Sequence, residues 1–336
     1  MSYIFFYENY DIYKTEQLCA SLYRLMETIL IAKHLKKILV LPNFYFTPRN
    51  SELINKTNKL CIDRMELIDI SNILQMDKIK EICECISLVE YMKLKVKSTI
   101  ISKPNDDIPL VKKKYHTVYG MLEIDKQIEI DYSSLDLLNF ANRYESCTHL
   151  IIHNYNRMGN PIWCKSNTLN YYKIRNSIKF NEYYYTKANP KLDFDNTLMV
   201  HWRRGDFKLS QGDTEETIAY YKKYNELSSV DNLSKNILYR CLENNLKSVF
   251  LLTNETNDEE LNKLTTILEG FNIETIVYTA SLDNTFLKYL ITDICGIIIG
   301  SKCKYQLHGY GNYDRMSQYG RWIIEENMEN KTYFLE

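Results

Sequence analysis

The stretch "NTLMVHWRRGDFKLSQGDTEETIAYYKKY", residues 196–224, joins two patterns that together determine the fold. Its first part, "TLMVHW" at 197–202, is an apolar run with the length of a buried β-strand. Its last part, "DTEETIAYYKKY" at 213–224, has helical periodicity, with acidic residues in the first turn and Asp213 as the expected N-cap. A buried strand followed by a helix predicts an α/β fold built on a parallel sheet.

The same alternation continues to the end of the chain. Helices are predicted in "DEELNKLTTIL" and "NTFLKYLITDI". Strands are predicted at 248–254 ("SVFLLTN"), in "ETIVY" and at 295–301 ("CGIIIGS"). The C-terminal half therefore has the regular βα order of a Rossmann-like domain.

The N-terminal half carries the same signals less densely. "YIFFY" at 3–7 predicts a buried strand, and "KILVLP" at 37–42 predicts a second one. Between them lies a helical pattern with Thr15 as its expected N-cap. One more strand is predicted at 148–156 ("THLIIHNYN"), whereas residues 43–145 show no clear period.

A chain of 336 residues is long enough for two domains. We predict two Rossmann-like domains, residues 1–180 and 181–336, that face each other across a cleft in the GT-B arrangement of glycosyltransferases. Enzymes that use nucleotide-activated sugars recurrently have this arrangement. We expect the N-terminal domain on the acceptor side and the C-terminal domain to bind the nucleotide sugar.

Charge and composition exclude several other classes of protein. The 42 Lys and Arg residues nearly balance the 43 Asp and Glu residues, so no overall basic field exists to bind nucleic acid. No apolar run approaches the roughly 18 residues of a membrane span. The N-terminus lacks the pattern of a signal peptide, and the nine cysteines contain no CxxC pair. These features predict a cytoplasmic protein with reduced thiols.

The segment "HWRRGD", residues 201–206, stands where the strand at 197–202 ends. A guanidinium group is always charged, and its planar fork of donors matches the oxygens of a phosphate. Gly205 allows the backbone to approach a ligand, and Asp206 is placed to orient an arginine. His201 and Arg203 are two residues apart and so share one face of the strand. The segment therefore indicates a phosphate-binding site.

Other interpretations of these residues exist. Arg204 and Asp206 can form a structural ion pair at a turn, with His201 as an ordinary core histidine. The tripeptide "RGD" (204–206) also occurs in integrin ligands. Those ligands present it on exposed extracellular loops, whereas we expect this chain to be cytoplasmic. "DFD" at 193–195 matches a metal-binding DxD motif, but it precedes a strand instead of following one. We therefore expect no metal there. No P-loop or GxGxxG is present, so neither an ATPase nor a nicotinamide-dependent enzyme is indicated, and we expect no cofactor.

The segment "VHWRRGDF" resembles the H-x-R-R-G-D-F/Y motif of the fucosyltransferase superfamily. Other segments resemble its protein O-fucosyltransferase branch in the same order along the chain. "SVFLLTN" stands where that branch has F-V-A-T-D. "FLKYLITDICGIIIGSKCKYQL" resembles its D-x-x-I-C…F-I-G-x-S-x-S-T-F stretch. The resemblance covers most of the chain outside residues 45–145.

The resemblance implies an inverting, metal-independent transfer of fucose from GDP-fucose to a hydroxyl of a protein or glycan. Arg203 matches the arginine that stabilises the diphosphate leaving group, and His201 matches a histidine on the nucleotide side. Asn254 matches a position near the guanine. The other positions that match the donor site are Arg204, Gly205, Asp206, Gly300 and Ser301, the last two at the start of a phosphate-contacting loop.

The chain departs from the family pattern in two places. The loop "ENYDIYKTEQ" at 8–17 has no glycine where the family has Gly-x-Asn, and "KYQ" at 304–306 replaces S-T-F. A carboxylate of the first loop is a candidate general base toward the acceptor hydroxyl, and the candidates are Glu8, Asp11 and Glu16. The alternative for each is a solvated loop residue. Two other functions fit the pattern: the use of another GDP-sugar, and a catalytically silent nucleotide-sugar-binding protein.

Overall fold

The computed structural model divides the chain into two compact units, Met1–Asn181 and Glu182–Glu336. The predicted division after residue 180 lies next to this boundary. The structure describes residues 1–7, 18–41, 44–46, 66–68, 70–102, 110–111, 114–117, 120–129, 143–153, 168–188, 191–203, 213–255, 257–279, 286–311 and 317–336.

The N-terminal unit is an α/β domain, as predicted. Its strands are β1 (Tyr3–Tyr7), β2 (Ile38–Leu41), β3 (Phe44–Phe46), β4 (Glu66–Ile68), β5 (Cys85–Ser87), β6 (Lys97–Ser102), β7 (Leu110–Val111), β8 (Lys114–Thr117), β9 (Gly120–Glu129) and β10 (His149–His153). Its helices are α1 (Leu18–His34), α2 (Met76–Lys80), α3 (Leu88–Lys93) and α4 (Thr168–Ser177), with a 3-10 turn at Ile70–Asn72.

As far as this unit is described, eight strands form one sheet in the order β5–β2–β1–β10–β6–β9–β8–β7, and β3 pairs with β4 separately. Pairing is parallel from β5 to β9, and β8 and β7 continue the sheet in antiparallel fashion. The predicted strands at 3–7, 37–42 and 148–156 are confirmed as β1, β2 and β10. The predicted helix is confirmed as α1, while Thr15 lies outside the described residues.

The C-terminal unit is a more regular Rossmann-like domain. Its strands are β11 (Thr197–Trp202), β12 (Ser248–Thr253), β13 (Glu274–Thr279), β14 (Tyr305–His308) and β15 (Lys331–Phe334). Its helices are α5 (Glu182–Lys187), α6 (Glu215–Leu227), α7 (Val230–Asn244), α8 (Asp258–Glu269), α9 (Phe286–Lys302) and α10 (Gln318–Glu326). In its described part, five parallel strands lie in the order β13–β12–β11–β14–β15.

This order reverses direction between β11 and β14. From β11 the chain moves outward to β12 and β13, and it then returns to add β14 on the other side of β11. The connections that leave β11 and β14 therefore run in opposite directions along the sheet. The point between two such strands is called the topological switch point, and open α/β sheets bind their ligands there. The segment that follows β11 begins with Arg203, so the sheet places this arginine at that point.

The strand predicted at 295–301 is wrong, because α9 continues without a break to Lys302. The segment 294–300 is buried at every residue, and a fully buried helix has no apolar period to distinguish it from a buried strand. Its glycines allow it to press against the sheet. A Cβ on Gly300 would lie 3.2 Å from Cδ1 of Leu252 and 3.3 Å from Cγ of Met199.

The helix α6 begins one residue later than predicted. Thr214, and not Asp213, is its N-cap, and the Thr214 hydroxyl accepts a hydrogen bond from the backbone N–H of Thr217.

The structure also describes the cysteines and the apolar helices of the chain. Within the described residues, all the cysteines are free thiols, and no helix is long and apolar enough to cross a membrane.

Trp202 fixes the end of β11 from the face of the sheet that carries α7 and α8. Its side chain is 1% exposed and packs in a cluster with Leu198, Val200 and Leu307. The indole N–H donates a 2.9 Å hydrogen bond to the carbonyl oxygen of Ser228, in the short link between α6 and α7. The packing and this bond together hold the strand in register beneath Arg203.

We predict that Trp202→Phe destabilises the C-terminal unit. The substitution leaves the buried Ser228 carbonyl without its donor and removes part of a core side chain, which should lower the free energy of unfolding by roughly 1–3 kcal/mol. Urea unfolding followed by circular dichroism measures this loss. Tyr239→Phe is the control, because Tyr239 is 59% exposed. Equal losses in both variants would contradict the anchoring role of Trp202.

Candidate functional site

The candidate site lies at the carboxyl edge of the C-terminal sheet, where β11 and β14 are neighbours. Val200 of β11 pairs with Leu307 of β14, so the next residues, His201 and His308, stand side by side. Their ring centroids are 5.8 Å apart in an edge-to-face arrangement. The imidazole ring of His201 also contacts the ring of Tyr319 on α10, with a centroid distance of 5.5 Å. The predicted residue His201 is thus one of three rings clustered at the switch point.

Two further predicted residues reach the same edge. Trp202 pairs with Thr253 of β12, so Arg203 and Asn254 each follow directly after neighbouring strands. Both are partly exposed, whereas the strand residues that precede them are buried. The sheet therefore places His201, Arg203 and Asn254 at the same edge.

The buried amide of Gln306 links this edge to the end of α9. Gln306 is fully buried, and its Nε2 donates a 3.3 Å hydrogen bond to the carbonyl oxygen of Gly300. That carbonyl belongs to the last turn of the helix, where the helix itself supplies few donors. On its other side, Oε1 of Gln306 lies 3.2 Å from Nε2 of His308. One polar side chain thus caps α9 and orients His308.

Both histidines are neutral at neutral pH. Burial, together with the nearby positive charge of Arg203, lowers the pKa of His201 from 6.5 to about 3. Burial, together with the adjacent His201, holds the pKa of His308 well below 6.5. The positive charge that this cluster presents to a ligand therefore comes from Arg203, while the imidazoles offer hydrogen bonds without charge.

Two tyrosines of α6 hold the segments that leave the two strands. The Tyr224 hydroxyl donates a 3.2 Å hydrogen bond to the carbonyl oxygen of Arg203, and the Tyr220 hydroxyl donates a 3.1 Å bond to that of Tyr310. Gly309 is needed for this contact, because a Cβ there would lie 2.7 Å from the Tyr224 hydroxyl oxygen. The helix that follows β11 therefore fixes the backbone on both sides of the switch point.

The resemblance implied that Gly300 and Ser301 begin a phosphate-contacting loop, but the structure places both residues in a helix. Both are buried in the last turn of α9, and the Ser301 hydroxyl donates to the carbonyl oxygen of Ile298 at 3.0 Å. The prediction of a loop is wrong because the helix extends through these residues. Gly300 contributes through its carbonyl oxygen, which accepts the Gln306 amide.

Other predicted site residues lie outside the part of the chain that the structure describes. These residues are Glu8, Asp11, Glu16, Arg204, Gly205 and Asp206. Their assignments, as general-base candidates or as part of the arginine turn, stay predictions.

The "DFD" segment lies at the opposite end of β11 from Arg203. Its Asp193 carboxylate accepts hydrogen bonds from the Asn196 amide at 2.8 Å and from the backbone N–H of Asp195 at 3.2 Å. These bonds form the turn that leads into the strand. In the described ranges, no three His, Cys, Asp or Glu side chains group in a way that would hold a metal ion.

The sequence patterns did not predict four residues of this site: Gln306, His308, Tyr224 and Tyr319. The signal for the first two was the segment "YQLHG" at 305–309, in which polar side chains alternate with apolar ones before a glycine. In a sheet buried on both faces, such alternation marks polar residues turned toward one side of the strand. No comparable signal exists for the tyrosines, because their roles depend on the packing of helices that are distant in sequence.

We predict that acid destabilises the folded chain through the buried side chain of His308. The pKa of His308 is far below 6.5 in the folded chain. As the pH falls below 6.5, the unfolded chain therefore binds a proton that the folded chain does not bind. Below pH 6.5 the free energy of unfolding should therefore decline by up to about 1.4 kcal/mol for each unit by which the pH falls, for each histidine held neutral in this way.

Urea unfolding of wild type and His308→Gln, at neutral pH and at about pH 5, measures this effect. The variant should lose less stability on acidification than the wild type. His34→Gln is the matched control because His34 is exposed on α1. An unchanged acid dependence in His308→Gln would show that His308 is not held neutral.

The fold is that of a known group of solved structures. No protein-family model and no curated protein matches the sequence. Crystal structures of POFUT1 in complex with GDP-fucose, in two crystal forms, match 99% of this chain and 97–98% of theirs, with a TM-score of 0.64 and 12% sequence identity. POFUT1 in complex with GDP matches equally well, at a TM-score of 0.64 and 12% identity over 99% of this chain. This likeness confirms the predicted α/β fold with two Rossmann-like domains.

Proposed function

We propose that this protein is a metal-independent, inverting glycosyltransferase that transfers fucose from GDP-fucose to a hydroxyl of a protein or glycan. The observation that carries the proposal is the position of Arg203, directly after β11 at the switch point of the C-terminal sheet. The fold shared with POFUT1, whose structures contain GDP-fucose or GDP, supports a GDP-sugar as donor. The "HWRRGDF" motif supports the same donor.

The proposed reaction is a single displacement at the anomeric carbon of the donor sugar. The acceptor oxygen attacks this carbon from the side opposite the diphosphate, and the bond between carbon and phosphate oxygen breaks. The bonding electrons leave with GDP, so negative charge grows on the β-phosphate. The acceptor hydroxyl gives its proton to a general base, for which Glu8, Asp11 and Glu16 are the candidates.

Arg203 is suited to stabilise the departing diphosphate. A guanidinium donates two parallel hydrogen bonds to phosphate oxygens and keeps its charge at any pH at which the protein is folded. The bond from the Tyr224 hydroxyl to the Arg203 carbonyl fixes the backbone from which this side chain starts. A donor group that is positioned before the reaction begins stabilises developing charge better than a mobile one.

His201 and Asn254 are suited to bind the nucleotide part of the donor. Burial holds the pKa of His201 at about 3, so this ring adds no second positive charge beside Arg203. It can donate or accept a hydrogen bond on the nucleotide side of the diphosphate. Asn254, at the end of β12, offers an amide at the same edge for the guanine base. These roles follow the positions that the resemblance assigned.

We predict that Arg203→Ala abolishes most transfer or hydrolysis of GDP-fucose. The loss of a stabilising donor of this kind lowers turnover by roughly 100- to 1,000-fold. GDP release, measured with a coupled assay, reports turnover, and thermal shift reports binding. Arg203→Lys should recover part of the binding and little of the turnover, because lysine keeps the charge and loses the planar fork.

The control is Arg143→Ala, which removes an exposed arginine of the N-terminal unit. GDP-fucose turnover that survives Arg203→Ala would refute the assignment of Arg203. Stabilisation by GDP-fucose without turnover would instead indicate a silent nucleotide-sugar-binding protein. A larger effect of another GDP-sugar would change the donor and leave the site in place.

We also predict that EDTA leaves turnover unchanged. If Arg203 neutralises the diphosphate, a divalent cation has no necessary part in the step. The assay compares initial rates with excess EDTA and with added magnesium or manganese. A rate that EDTA abolishes and either metal restores would overturn metal independence.

A further inference from the structure

His308 carries a buried hydrogen-bond acceptor that no described residue uses. The side chain is 1% exposed, and its ring lies between those of His201 and Phe334, with centroid distances of 5.8 and 6.2 Å. Nε2 faces the Gln306 amide at 3.2 Å. Nδ1 is buried and has no hydrogen-bond partner among the described residues.

The orientation of Gln306 determines which ring nitrogen carries the proton. The carbonyl oxygen of Gly300 can only accept a hydrogen bond, so the NH₂ group of Gln306 must face it. Oε1 of Gln306 then faces His308, and Nε2 of His308 must be the donor. In a neutral ring this leaves Nδ1 unprotonated, with its lone pair available. The low pKa of His308 is consistent with this neutral form.

A lone pair in this position selects the chemistry of its partner. A buried acceptor without a donor costs free energy, which binding of a donor group would recover. Phosphate oxygens are themselves acceptors and would be repelled, so the partner must present an O–H or N–H group. The ring stands at the end of β14, beside the strand that leads to Arg203.

We propose that Nδ1 of His308 accepts a hydrogen bond from a sugar hydroxyl of the bound donor. A diphosphate held by Arg203 has a sugar ring on each side, the ribose of the nucleotide and the sugar to be transferred. Hydroxyls of these rings are the donor groups nearest to the phosphates. This inference rests on the proposed function, because it requires a nucleotide sugar at the switch point.

Two substitutions separate ligand recognition from a structural role. In His308→Gln, the amide nitrogen can reach the position of Nε2 and keep the bond to Gln306, but nothing replaces Nδ1. In His308→Asn, the amide oxygen lies near the position of Nδ1, and the bond to Gln306 is lost. If His308 recognises the ligand, the asparagine variant binds more tightly. If its role is structural, the glutamine variant is the better replacement.

The experiment measures dissociation constants of wild type and both variants by calorimetry, with GDP-fucose, GDP and 2′- and 3′-deoxy-GDP. We expect His308→Gln to bind GDP-fucose roughly three- to tenfold more weakly than wild type, and His308→Asn to recover part of this loss. If the partner is a ribose hydroxyl, GDP shows the same loss and one deoxy analogue shows none. If the partner is the transferred sugar, GDP affinity is unchanged.

Equal losses for every ligand, or tighter binding by the glutamine variant, would overturn the inference while leaving the proposed function intact. Wild type that binds none of the GDP compounds would overturn the proposed function itself, and this inference with it. Unfolding midpoints of both variants identify any affinity change that arises from a partly unfolded sample.

Discussion

The site depends on the adjacency of β11 and β14 in the C-terminal sheet. Parallel strands need crossover connections, and a sheet that grows first to one side and then to the other leaves two crossovers that diverge. Here the divergence occurs between His201 and His308. The described residues of the cluster lie on these two strands, directly after β11 or β12, or on a helix that packs against the strand ends. The topology therefore places the cluster before any individual side chain is considered.

The electrostatics of the cluster follow from burial. A histidine beside an arginine in water would still be partly protonated near neutral pH, but burial shifts both imidazoles firmly to the neutral form. Among the described residues, the cluster thus combines the permanent cation Arg203 with uncharged hydrogen-bonding rings. This combination suits a ligand whose charge is concentrated on phosphates and whose remaining groups are hydroxyls and amides. In the proposed reaction, a second cation at His201 would strengthen phosphate binding in the ground state and the transition state alike, without selective help to the leaving group.

Sequence patterns predicted the parts of this fold in which local signals agree with tertiary structure. The strand at 197–202 was predicted from an apolar run that ends in polar residues, and the structure confirms this strand. The pattern failed at α9, because a helix buried on all sides has no polar face and "CGIIIG" has the β-branched composition of a strand. With the strand assigned too early, no strand was predicted for the segment that forms β14, and His308 was missed.

The same error shows which feature of a sequence carries information about a site. If positions 306 and 308 held apolar side chains, their burial would cost no hydrogen bonds to water. Gln306 and His308 lose such bonds on burial and therefore require partners within the protein or in a ligand. The amide obtains its partners from α9 and from His308, so its presence is explained by the end of the helix. His308 obtains a partner for one nitrogen alone among the described residues. A local rule that is broken without compensation among the described residues points to a requirement outside them, and at a topological switch point this supports the ligand that we propose.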